Sequence, residues 1–126
     1  MARLTLRIDF DDERAIGPGK IRLLELIDAE GSISAAGRAM AMSYRRAWLL
    51  VDNLNRCFRE PVVAAQTGGA KGGGAALTPL GRTVVRHYRA IEKEAAAAAA
   101  SHVGALADAL AEAAAEPETA REPPLD

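Results

Sequence analysis

Cysteine, aromatic side chains and long apolar runs are all scarce in this sequence, and each shortage excludes something. The single cysteine, Cys57, has no partner for an internal disulfide, and His87 and His102 are too few to complete a four-ligand zinc site with it. It reads as a structural thiol in a reducing compartment. Aromatic residues make up 4% of the chain, so the core has to be assembled from Leu, Ile, Val and Ala. That composition suits packed helices better than a large sandwich or barrel. No run of about 18 apolar residues is present to cross a bilayer. Met1 to Phe10 alternates polar with apolar residues where a secretory signal would carry an unbroken apolar stretch. The expectation is a soluble, cytoplasmic, mainly α protein with no membrane partner, and 126 residues at 49% hydrophobic and 26% charged suffice for one core.

A surplus of positive charge is missing too. The formal net charge is −1, which argues against a phosphate-bearing partner until the chain is divided. Residues 1–31 hold five basic and seven acidic side chains, residues 32–93 hold ten and three, and residues 94–126 hold one and seven. The middle segment therefore stands at +7 between ends at −2 and −6, the asymmetry expected of a chain with one phosphate-facing surface. Arginines that only solvate helix surfaces would give the same count, so the residues themselves have to decide.

Leu4, Leu6, Ile8 and Phe10 alternate with polar residues and predict a short edge or pairing strand. Gly17-Pro18-Gly19 then breaks the chain, and Ile21, Leu24 and Ile27, reinforced by Leu23 and Leu26, recur at helical spacing up to Gly31. Ser32 or Ser34 caps a second, short helix, whose Ala35, Ala36, Ala39 and Met40 let a neighbour approach closely. Ser43 caps a third, in which Ala47, Val51, Leu54 and Phe58 point to one side. Two short capped helices joined near Ala41 and Met42 form a helix-turn-helix. Pro61 closes the third helix. Val62 to Gln66 and Ala75 to Leu77 read as strands about a flexible glycine-rich loop, Thr67 to Gly74, and a hairpin in that place is a wing.

Thr78-Pro79 opens a last helix, with threonine as cap and proline at the first helical position. An apolar seam of Val84, Tyr88, Ile91, Ala95, Val103, Leu106 and Leu110 runs along it and predicts pairing with the same helix of a second chain. Poly-alanine that is helical by propensity alone is the competing account. The organisation expected is thus a winged helix-turn-helix at 1–78 with its wing at 61–78, a dimerisation helix at 79–115 and a disordered acidic tail at 116–126.

In that arrangement the first turn of the third helix enters the major groove of double-stranded DNA, where arginine can make paired hydrogen bonds to guanine. Arg45 and Arg46 are the base-reading candidates, since Ala47 and Val51 hold the opposite face inward. Tyr44 stands equally for DNA contact and for packing on the protein, and Trp48, beside the buried stripe, is expected in or at the edge of the core. Ser32, Ser34 and Ser43 can serve as caps and as phosphate ligands at once. Arg38 is a backbone contact or a surface ion pair, and in the loop Thr67 and Lys71 are placed to reach the DNA backbone. The glycines match neither the phosphate-binding loop nor the dinucleotide fingerprint. No enzyme and no cofactor are expected. His87 and His102 are helix-surface residues without a nucleophile nearby, and Asp9, Asp11, Asp12 and Glu13 form a solvated turn that lacks the spacing of a calcium loop.

Two stretches, GSISAAGRAMAMSYRRAWLLVDNLN (residues 31–55) and TGGAKGGGAALTPLG (residues 67–81), resemble the N-terminal DNA-binding domain of the ModE family of molybdate-responsive regulators, within a broader likeness to LysR-type winged helices. The likeness spans most of residues 4–115. It implies a dimeric transcriptional regulator with Ser43 to Arg46 at the groove and the helix after Thr78 as dimer interface. ModE regulators also carry oxyanion-binding domains beyond that helix, and this chain has an acidic tail there. No molybdate site is carried over, and an effector, if one acts, is expected on a separate sensing partner. The alternative from another class is a winged helix that has lost DNA binding and serves as a protein-interaction module.

Overall fold

The computed structural model describes residues 2–69 and 72–112. Among these, four helices and two small antiparallel sheets follow one another as β1 (Ile8–Asp9), β2 (Ala15–Ile16), α1 (Pro18–Glu30), α2 (Ile33–Ala39), α3 (Tyr44–Cys57), β3 (Val63–Gly69), β4 (Gly72–Leu77) and α4 (Pro79–Asp108). The fold is mainly helical, with a long C-terminal helix.

The strand expected over Leu4 to Phe10 shrinks to Ile8–Asp9, paired with Ala15–Ile16 through the contacts Ile8↔Ile16 and Asp9↔Ala15. No partner strand exists for the preceding residues among those described, because Tyr88 Oη instead donates to the Leu6 carbonyl at 2.6 Å. Phe10 is half exposed and meets Phe58 edge-on at 6.0 Å. Between the two strands Asp11 closes a turn. Its Oδ1 accepts the backbone N–H groups of Glu13 and Arg14 at 3.0 and 2.8 Å, and Arg14 Nε donates to Oδ2. The Arg14 side chain and these two amides hold the Asp11 carboxyl at about 2.

The Gly17-Pro18-Gly19 break is the start of α1 itself, since proline at the first helical position gives up an N–H that would have no helical partner. Ile21, Leu23, Leu24 and Ile27 are buried along it. Gly31 ends it in the left-handed conformation at φ 81°, a region a side chain disfavours. The Ser32 hydroxyl then accepts the Ala35 N–H at 3.0 Å and starts α2. The close approach to α3 is made by Gly37 more than by the alanines: a Cβ there would lie 2.9 Å from Ala47 Cβ, whereas Ala39 is exposed. Ala41, at φ 57°, and a bond from Met42 N–H to the Gly37 carbonyl form the turn into α3.

On α3 the expected inward stripe is present, with Ala47, Val51 and Leu54 buried and Phe58 partly so. Full burial of a residue such as Leu54 is worth about 2 kcal/mol. Asn55 fixes the end of α3 to β3. Its Oδ1 accepts the N–H groups of Val62 and Val63 at 2.8 and 3.0 Å, and its Nδ2 donates to the Val63 carbonyl. The glycines expected as a loose loop are largely strand, β3 and β4 pairing from Val63↔Leu77 to Gly69↔Gly72 with an irregularity between Gln66 and Gly69. The root of this hairpin is tied to the α1–α2 junction by Ala75 N–H donating to the Gly31 carbonyl at 2.9 Å.

Thr78 joins three elements. Its N–H donates to the Val62 carbonyl, its hydroxyl donates to the Pro61 carbonyl at 2.7 Å, and the same oxygen accepts the Gly81 N–H. Gly81 lies so close to β3 that a Cβ would fall 2.1 Å from the Val62 carbonyl oxygen. Val84 and Tyr88 of α4 are buried in the chain's own core beside α1 and β4. The helix ends at Asp108, where Ala109 and Leu110 make tighter, three-residue bonds to Leu106 and Ala107. Residues 113–126, where the acidic tail was expected, lie outside the described residues.

Candidate nucleic-acid interface

At about 100° per residue, the side of α3 opposite Ala47, Val51 and Leu54 carries Arg45 and Leu49. Ser43 caps the helix, its hydroxyl accepting the Arg46 N–H at 3.0 Å. The unpaired amides of the first turn and the side chains of Arg45 and Arg46 therefore open to solvent at the same end. Among the described residues neither arginine is paired with a carboxylate, whereas Arg7, Arg14, Arg56 and Arg89 donate to one and Arg22 lies 3.8 Å from Glu25. Arg56, one helical turn after Asp52, is neutralised by it.

Tyr44 is 61% exposed and Trp48 45% exposed, their rings meeting at 67° with centroids 6.1 Å apart. Trp48, expected in or at the edge of the core, stands just outside it, a quarter turn from the buried stripe. Asn55, whose Oδ1 accepts the Val62 N–H, falls on the same side of α3 about two turns further on. Leu49, 55% exposed, was not singled out from the sequence. The signal that finds it is its place one turn after Arg45, on the side away from the apolar stripe.

The remaining expected residues separate into two groups. Ser32 and Ser34 lie at the start of α2, and Arg38 Nη1 donates to Ser34 Oγ at 2.9 Å, so these two candidates are brought together and neither faces a carboxylate among the described residues. Thr67 contributes backbone to β3, and Lys71 lies outside the described residues. Of the expected dimer seam, Val84 and Tyr88 are 9% and 1% exposed and belong to the intramolecular core, so they are not free to meet a second chain. Ile91, Leu106 and Leu110 are 41%, 71% and 74% exposed. Ala95 and Val103 are half-buried, and Val103 lines an open groove of about 930 Å³ between α4, the N-terminal residues and α1, remote from α3. No helix among the described residues is long and apolar enough to cross a membrane.

No protein-family model matches the chain. Individual proteins do. The chain is 44% identical over 94 residues to the molybdenum transport protein ModE of Azotobacter vinelandii, an alignment covering 75% of this chain and 34% of that protein. The sequence is similar to ModE proteins over most of its length. It is also 46% identical over 77 residues to the molybdenum-pterin-binding protein MopB of Rhodobacter capsulatus, covering 61% of this chain and 28% of the relative. With the DNA-binding transcriptional dual regulator ModE of Escherichia coli (strain K12) it shares 32% identity over 87 residues, covering 69% and 33%. The chain spans about a third of the length of the curated relatives it matches. These relatives are named as regulators or molybdenum-related binding and transport proteins, and none of the names is an enzyme's.

Proposed function

We propose that this ModE-like chain is a sequence-specific transcriptional regulator that binds duplex DNA as a homodimer. Molybdenum-related genes are its targets, and occlusion of a promoter is its simplest mode of repression. In this reading α2 and α3 are a helix-turn-helix, β3 and β4 its wing, and residues 79–108 a dimerisation helix. The observation that carries it is the pair Arg45 and Arg46, projecting from a capped helix start with no carboxylate to hold them among the described residues. Arginine in that place can donate in pairs to guanine O6 and N7. Arg38, Ser32, Ser34, Ser43, Thr67 and Lys71 supply contacts to the sugar-phosphate backbone. The names of the relatives support the gene class.

Fluorescence anisotropy with a duplex selected from a random library, and with an unselected duplex, tests the reading. Arg45→Ala and Arg46→Ala should each cost about 1–3 kcal/mol on the selected duplex and far less on the unselected one. Lys71→Ala should weaken both alike and flatten the salt dependence. Equal losses on the two duplexes for the arginine variants would remove their base-reading role. A second reading, a protein-interaction module, draws on the exposed Leu106 and Leu110. It requires that titration with duplex DNA show neither a sequence preference nor a steep salt slope.

A further inference from the structure

We infer that Leu49 reads the 5-methyl group of thymine, one helical turn from the guanine contact of Arg45. The inference rests on the DNA-binding reading above and assigns a specificity-determining residue that the arginines alone do not supply.

Leu49 is 55% exposed on the outward side of α3, where it also borders a shallow recess with Arg14, Asp52 and Arg56. Single exposed leucines are common on protein surfaces and mean little. This one stands one turn after Arg45 and about 40° from it around α3, while Tyr44 and Trp48, 61% and 45% exposed, occupy the adjoining flank of the helix. An uncovered leucine in line with an arginine that meets no carboxylate among the described residues makes a surface of mixed character. The positive charge of Arg45 and Arg46 disfavours a second copy of the same surface, which would bring like charges together. The major groove accommodates both features at once. Guanine presents two acceptors there, and thymine presents a methyl group, the groove's apolar feature, which is read by apolar contact.

The geometry sets the spacing. Four residues along a helix span about 6 Å, and neighbouring base pairs are about 3.4 Å apart. Arg45 and Leu49 also point within about 40° of one another around α3. A guanine under Arg45 therefore implies a thymine within about two base-pair steps in the same half-site. Leucine has no hydrogen-bonding group, so it distinguishes thymine from cytosine by the methyl alone.

The experiment replaces each thymine of the selected half-site in turn by deoxyuridine, which removes the methyl and keeps the pairing. Anisotropy titrations are run with the unaltered protein and with Leu49→Ala. For the unaltered protein, one position within two steps of the guanine should lose about fourfold in affinity, the worth of one buried methyl group. Leu49→Ala should bind the thymine duplex about as weakly as the unaltered protein binds the uracil one, and should no longer respond to the replacement. Alanine is a strong helix former at an exposed site, so unfolding of the variant should match the parent. Identical replacement profiles for the two proteins, or loss of self-association in Leu49→Ala measured by sedimentation, overturn the assignment while leaving the arginine contacts standing. Failure to select any sequence from the library overturns the DNA-binding reading and this inference together.

Discussion

Arg89 grips Glu25 with two parallel bonds, Nε to Oε2 at 2.9 Å and Nη2 to Oε1 at 2.8 Å, fastening α4 to α1 across 64 residues of sequence. A third bond, from Nη1 to Glu92 Oε1 at 2.7 Å, ties the same guanidinium to its own helix. The paired geometry suits the planar guanidinium and cannot be reproduced by lysine. It lowers the Glu25 carboxyl below its ordinary 4.5 and raises Arg89 further above its own range.

A carboxyl whose folded value is lowered stabilises the fold fully above its unfolded value, and that contribution is lost as the pH falls below it. For Glu25 the loss therefore begins near 4.5 and proceeds downward. Glu25→Gln should cost about 1 kcal/mol near neutrality, a figure reduced for partial exposure. Urea midpoints of parent and variant should converge as the pH is lowered toward about 3. A gap that stays constant with pH would show that the charge of Glu25 contributes nothing.

Two glycines on one helix should respond in opposite ways to alanine. At Gly81 the added methyl would meet the Val62 carbonyl oxygen at 2.1 Å, a backbone atom held by its bond from Thr78. Gly81→Ala should destabilise by about 3 kcal/mol. At Gly104 nothing lies within 4 Å of the new methyl. Gly104→Ala should stabilise α4 by about 0.5–1 kcal/mol. Thermal unfolding of both variants decides the comparison, and a shift of the same sign in each would contradict it.

Tyr88→Phe removes the hydroxyl that donates to the Leu6 carbonyl at 2.6 Å while keeping the buried ring. The expected loss is about 1 kcal/mol. Amide exchange should quicken around residues 4–8 and stay unchanged in α3, whereas uniform acceleration would mean that the ring, not the hydroxyl, had been disturbed.

Leu106 and Leu110 are 71% and 74% exposed, so replacing both by serine removes little from the interior of the chain. If residues 91–110 form the seam between two copies, the double variant should dissociate at least about tenfold more readily in sedimentation velocity, each apolar side chain withdrawn from a contact costing about 1 kcal/mol or more. Its unfolding at a concentration where the parent is monomeric should be unaltered. Unchanged association would move the seam elsewhere on α4.

Much of the fold is legible in the sequence wherever the cause is local. The inward stripe Ala47, Val51 and Leu54 follows from helical spacing, and Ser32, Ser43 and Thr78 cap helices because their hydroxyls reach an amide three residues on. Features with distant causes are not legible. The strand expected from Leu4 to Phe10 depends on a partner, and Leu6 finds its bond 82 residues away. The first turns of the α4 seam enter the chain's own core while Ile91, Leu106 and Leu110 stay exposed, and periodicity does not mark where that burial ends. Trp48 is apolar by type yet lies a quarter turn off the buried stripe. Asn55, a polar residue near a helix end, reveals its role only when β3 comes within reach of its amide.

Thr78 carries a mechanical consequence. Because its backbone and hydroxyl lock the start of α4 to Pro61 and Val62, and Asn55 locks Val62 to α3, the direction in which α4 leaves is set by the same few bonds that aim α3. Any pairing of two copies along α4 would then present each α3 at an angle built into its own subunit, leaving only the register and crossing of the two long helices to set the distance between the reading heads.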